Sequence, residues 1–139
     1  MKKKNRSKLL AVLLVMATGT SLLSGCGRKI AEFMLQNEGA DVTKAWNGQE
    51  AVEIFRKSVP GEFDVILMDI MMPVMNGYET AKMIRSLDRE DAKTIPIIAM
   101  TANAFTEDRR SAKEAGMDEH VAKPVDVELL IKVIHKLVD

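Results

Sequence analysis

The stretch Val65-Ile66-Leu67-Met68-Asp69-Ile70-Met71-Met72-Pro73-Val74-Met75-Asn76-Gly77 decides the fold. Its first four residues form an uninterrupted apolar run that ends in a carboxylate. A run of strand length without polar alternation marks a strand buried on both faces, as in parallel sheets covered by helices on either side. Farther on, Asn76 is placed to cap a helix.

Downstream, Met83, Ile84 and Leu87 are expected on the inner face of that helix. Ile95–Met100 repeats the apolar run and ends in Thr101. Thr106 then caps a helix closed by Gly116, and His120-Val121-Ala122 is a short strand before Lys123-Pro124. Asp126 caps the last helix, in which Leu130, Val133, Ile134 and Leu137 form a stripe at i, i+3, i+4 and i+7. Upstream, Ala40–Trp46 reads as a strand. Asn47 caps a helix running to about Lys57, with Ala51, Val52 and Phe55 inward, and Pro60-Gly61 breaks it. Ile30, Phe33 and Met34 share one face of an earlier helix that Gly39 stops. Strands alternating with helices predict an α/β, doubly wound parallel sheet. The sequence shows no internal repeat, no low-complexity tract and no linker to a second domain.

Three polar residues stand where buried strands end: Asp69, Thr101 and, one residue past His120–Ala122, Lys123. Ligands of open parallel sheets bind at the carboxyl ends of the strands, so these three converge on one edge. Each alone reads as a strand cap or surface partner. Together a carboxylate, a hydroxyl and an ammonium suit phosphoryl chemistry: a nucleophile and two groups that neutralise phosphoryl oxygens.

Residues 28–139 resemble the receiver domain of two-component signalling, in the form attached to hybrid histidine kinases. The loop Asp69–Gly77, the strand Pro96-Ile97-Ile98-Ala99-Met100-Thr101-Ala102 and the element Ala122-Lys123-Pro124 carry the resemblance. It implies a flavodoxin-like sheet of order 2-1-3-4-5. It also implies Asp69 as phosphoacceptor, Thr101 as the hydroxyl that follows the phosphoryl group and Lys123 as its counter-charge. Met71 would offer a backbone carbonyl to Mg²⁺, His120 stands at the switch aromatic's position, and Pro124 is a candidate for a cis bond. The implied partners are a histidine kinase or phosphotransfer protein, with a homodimer through the last two strands and helices.

The resemblance breaks at the start. Receivers open with a hydrophobic strand ending in two adjacent acids that hold Mg²⁺. In this register the pair falls on Leu22 and Leu23, and residues 1–25 contain no Asp or Glu. Mg²⁺ needs hard oxygen ligands, so weak metal binding and slow phosphorylation are expected. The first strand is either missing or replaced by Leu9–Met16, whose Leu/Val composition suits a strand and a signal helix equally.

That same region reads as an export leader. Met1–Lys8 is basic, Leu9–Leu23 is largely apolar, and Ser24-Gly25-Cys26 follows. Leu23-Ser24-Gly25-Cys26 resembles a bacterial lipobox, which implies cleavage before Cys26, lipidation of its sulfur and a membrane anchor. The sequence thus divides into a leader-like segment, 1–25, and a receiver, 26–139. Localisation follows from processing: membrane-anchored if cleaved, cytoplasmic if not. A leader fused in place of a receiver's own start would produce the same pattern.

Charge is equally divided. Five of the 20 basic residues lie in the first eight positions, which leaves the body at 15 Lys and Arg against 20 Asp and Glu, a net of −5. An acidic body with one Trp, one Tyr and four Phe offers no basic stripe and no stacking platform for nucleic acid. The single cysteine excludes an intrachain disulfide. There is no nucleophile elbow, no glycine-rich phosphate loop and no His/Cys metal spacing, so a free-standing enzyme is not expected. The ten methionines read as core and loop filler.

Overall fold

A computed structural model describes residues 10–15, 35–37, 39–72, 75–101, 106–122 and 126–138. Five strands form one parallel sheet: β1 Leu10–Val15, β2 Ala40–Ala45, β3 Val65–Asp69, β4 Ile97–Thr101 and β5 Glu119–Ala122. Their spatial order is β2-β1-β3-β4-β5, the order expected from the sequence. The helices are α1 Gly48–Lys57, α2 Gly77–Arg85, α3 Glu90–Thr94, α4 Thr106–Glu114 and α5 Val127–Val138. Residues 35–37 are also helical, and Gly39 follows them at φ 88° before β2 begins. Ile30, Phe33 and Met34 lie outside the described residues.

Strand periodicity divides the sheet's side chains between two cores. Leu13, Val15, Ile66, Met68, Ile97 and Ala99 face one side, under α1 and α2 with Phe55, Ala81 and Ile84. Val12, Leu14, Val65, Leu67, Ile98 and Met100 face the other, under α5 with Leu130 and Ile134. Both faces are covered, which is why β3 and β4 carry apolar residues without alternation.

Of the two expectations for the first strand, replacement is the one realised. Leu10–Val15 lies between β2 and β3, pairing Leu10 with Ala40 through Val15 with Ala45 on one side. On the other side Val12 pairs with Val65 and Val15 with Met68. The sheet therefore reaches across the boundary at residue 25 that the sequence pattern draws. The physical reason is pairing: an interior gap would leave two rows of backbone donors and acceptors without partners. Val12, Leu13, Leu14 and Val15 are buried, each side chain contributing about 1.5–3 kcal/mol. Asp64 fixes the entry of the strand. Its carboxylate accepts the Ala11 N–H at 2.7 Å, and its own N–H donates to the Ala11 carbonyl at 2.8 Å.

The helices start as their caps dictate. Asn47 Oδ1 accepts the Glu50 N–H at 2.7 Å, and Ala51, Val52 and Phe55 are buried as expected. Asn76 and Glu79 form a reciprocal capping box on α2. Asp126 accepts the Leu129 N–H at 3.3 Å, and Leu130 and Ile134 are buried. Two expectations need correction. Met83 is 43% exposed; the buried face of α2 is Gly77, Thr80, Ala81 and Ile84. Small residues take the inward positions because α1 approaches closely: a Cβ on Gly48 would stand 2.0 Å from Thr80 Oγ1. The fourth strand begins at Ile97: α3 ends at Thr94, Ile95 caps it, and Pro96 joins the two, its carbonyl accepting the Ile66 N–H at 2.9 Å.

Helix α3 has no apolar periodicity, and a polar network secures it. Arg89 pairs with Asp91 through both guanidinium arms at 2.6 and 2.7 Å. Arg89 also donates to the carbonyls of Phe55 and Ser58 at the end of α1 and stacks over the Phe55 ring. The Arg89 hydrogen bonds, helped by the Gly61 N–H, hold the Asp91 carboxyl below its usual range. Arg85 does a similar job at the far side, donating to the carbonyls of Gly116 and Ala92 and to Asp118. Asp118 in turn accepts the Ile97 N–H at 2.8 Å, which ties β4 to the approach to β5.

Candidate functional site

Asp69 is the last residue of β3 and Thr101 the last of β4, and these strands are neighbours. Both end at the carboxyl edge of the sheet, where their side chains are 5% and 4% exposed. Two of the three residues expected there are thus brought together. The third, Lys123, and Pro124 beside it lie outside the described residues, as does Cys26.

Local chemistry holds the carboxylate. Past Asp69 the chain leaves the sheet by degrees: the Ile70 N–H still donates to the Met100 carbonyl at 3.1 Å. The Met71 N–H then turns back onto Asp69 Oδ1 at 3.1 Å, an aspartate bonding the backbone two residues on. Met71 itself is 71% exposed at the rim. The Gly77 N–H closes the loop on the Ile70 carbonyl at 3.0 Å. A Cβ at Gly77 would meet the Asp69 carbonyl oxygen at 2.5 Å and Ile70 Cα at 2.8 Å. Glycine is therefore required for α2 to begin directly against the strand that carries Asp69. Nothing in the sequence alone assigns Gly77 this packing role; the signal for it is an Asn-Gly pair following a strand-end acid.

His120 stands elsewhere. It lies on β5 opposite Ala99, two rungs back from Thr101, which pairs with Ala122. Half-buried, it shares a groove with Arg109, Ala112, Lys113 and Met117. It is not among the groups at the strand ends with Asp69.

The donor set for a divalent cation is short. Asp69 would supply one carboxylate and, as the resemblance implies, the Met71 backbone one carbonyl. Strand β1, which flanks β3, is entirely apolar, and no acid occurs in residues 1–25. Among the described residues no three His, Cys, Asp or Glu cluster as a metal site. Leu22 and Leu23 lie outside the described residues, but neither brings an oxygen ligand from its side chain. These residues do not fit Mg²⁺, which prefers six oxygens in near-octahedral array.

A buried strand-end carboxylate beside a strand-end hydroxyl, on a sheet of order 2-1-3-4-5, is a distinctive constellation. The family described as the response regulator receiver domain matches residues 26–135. The chain belongs to that family. As a receiver it is 31% identical to the receiver domain of the sensor histidine kinase PA1611 from Pseudomonas aeruginosa, with a TM-score of 0.79 over 94% of this chain and 98% of that one. That structure holds a magnesium ion in its active-site cleft. The receiver domain of the response regulator Ssk1 from Saccharomyces cerevisiae, in complex with the histidine phosphotransfer protein Ypd1, matches at 28% identity and a TM-score of 0.77, covering 93% and 88% of the two chains. Hybrid signal transduction histidine kinase M of Dictyostelium discoideum is 43% identical over 79% of this chain, which spans 5% of that kinase. The chain spans no more than 13% of the first curated relatives it matches.

Proposed function

We propose that this receiver accepts a phosphoryl group on Asp69 from a histidine kinase or phosphotransfer protein, at a rate held down by its missing acidic pair. The observation that carries the reading is the juxtaposition of buried Asp69 and Thr101 at adjacent strand ends. An Asp69 oxygen attacks phosphorus, the bond from phosphorus to the donor histidine nitrogen breaks, and the imidazole leaves with a proton. The product is an acyl phosphate. Charge on the transferring group is met by the Thr101 hydroxyl and the Lys123 ammonium, with no acidic cage to recruit Mg²⁺. His120 takes the switch position, so the response spreads through β4, β5 and their helices rather than through an aromatic flip. That face is the one we assign to partner binding or self-association.

The hybrid kinase among the relatives and the phosphotransfer complex of a structural neighbour support this partner class. The test is intact mass after incubation with acetyl phosphate or a phosphorylated phosphotransfer protein. The expected result is a gain of one phosphoryl group that Asp69→Ala abolishes. No gain, or a gain that survives the substitution, overturns the reading.

A second reading rests on the leader pattern of Met1–Lys8, Leu9–Leu23 and Cys26. In it the chain is a lipoprotein whose receiver body is degenerate and never phosphorylated. Its mark is a membrane species that lacks residues 1–25 and carries lipid on Cys26.

A further inference from the structure

Residues Leu10–Val15 carry two incompatible instructions. In sequence they belong to the apolar part of an export-type leader, a segment removed from mature proteins. In the fold they are an interior strand, paired with β2 on one side and β3 on the other. Leu13 and Val15 are sealed in one core, Val12 and Leu14 in the other. Ala11 is held by Asp64 at both its N–H and its carbonyl. While the sheet is intact, this segment is withdrawn from a membrane and from any machinery that reads apolar leaders. Cleavage before Cys26 would add water across the Gly25–Cys26 peptide bond and release a fragment containing all of β1. Strands β2 and β3 would each lose a row of backbone partners, and both cores would lose two large side chains.

We infer that Leu10–Val15 is a fold-or-export switch: the receiver sheet exists only in the unprocessed chain, and processing and folding compete for the same six residues. Folding hides the leader, and removal of the leader dismantles the site, because β3 carries Asp69. The competition holds whether or not Asp69 is phosphorylated, so it stands apart from the phosphoacceptor reading.

The test is to express the full chain in a bacterial host that processes lipoproteins, separate soluble and membrane fractions, and read intact mass and amide hydrogen exchange. Chains that retain residues 1–25 are expected to exchange slowly across Ala40–Ala45 and Val65–Asp69. Chains that begin at Cys26 are expected to exchange there at least about a hundredfold faster. Phe55→Ala supplies the second arm. Phe55 is buried in the core and lies outside the leader, so its loss weakens the fold and leaves the export signal unchanged. The processed share is expected to rise over wild type. A processed chain with fully protected β2 and β3, or a processed share (zero included) that Phe55→Ala leaves unchanged, overturns the inference.

Discussion

Strands β1 and β3 lie side by side and pair over four rungs, Val12–Val65 to Val15–Met68, yet they came to the sheet by different routes. Strand β3 ends in the carboxylate proposed here as the phosphoacceptor, which accepts the Met71 N–H from the loop that follows. Strand β1 is likewise buried over Val12–Val15 and paired on both sides, but it ends without an acid and sits inside a leader-like segment. The difference separates two demands on one sheet. Packing asks only for an apolar strand of the right length, and many sequences meet it. Chemistry asks for particular oxygens at the strand ends, and a substitute strand does not bring them.

The comparison is broken most directly at the chemical end of β3. Asp69→Asn is expected to reduce phosphoryl incorporation to background with the fold unchanged, read by intact mass and circular dichroism. If β1 is as integral to packing as β3, Leu13→Asp should unfold the protein, costing about 4 kcal/mol or more by placing an unpaired charge in the core. The control Leu129→Asp, at a residue 49% exposed on α5, is expected to stay within about 0.5 kcal/mol of wild type in urea unfolding. A tolerated Leu13→Asp would show that the sheet holds without this strand.

Gly77→Ala probes the contact between α2 and the end of β3. Its Cβ would strike backbone rather than a movable side chain. A loss of about 1–3 kcal/mol in urea unfolding is expected, together with slower phosphorylation than an equally destabilised variant elsewhere. The smallest effect is expected at Asp91, on α3 rather than on either strand. Its carboxyl is held below the usual range by Arg89, so its contribution is present above the unfolded-state pKa and disappears as pH falls through the lower folded-state value. Asp91→Asn is expected to cost about 1 kcal/mol at pH 7, with the gap to wild type closing as the pH drops below about 4. Urea unfolding at several pH values checks it.

Much of this was legible before the fold was known. The runs ending at Asp69 and Thr101 declare themselves because a strand buried on both faces leaves no room for polar alternation. The caps at Asn47, Asn76 and Asp126 are equally plain, since each side chain bonds its own local backbone. Met83 misled because a count of large apolar residues ignores how close two helices come; at the contact between Gly48 and Thr80 only small residues fit. Helix α3 left no periodic trace because Arg89 and Asp91, rather than a buried stripe, secure it. The fate of Leu10–Val15 stayed open because Leu and Val satisfy a strand and a signal helix alike; only the vacancy between β2 and β3 decides between them.

The central claim is that the leader-like segment serves as the interior strand of a receiver whose chemistry is limited by the acids that strand lacks. Installing two aspartates tests it. Val15 pairs with Met68, one residue short of Asp69, so the two residues that follow Val15 in sequence are the positions to substitute. Met16→Asp with Ala17→Asp is predicted to speed Mg²⁺-dependent phosphorylation of Asp69 by acetyl phosphate, while Leu22→Asp with Leu23→Asp is not. Acceleration by the second pair alone, or by neither, would contradict the account.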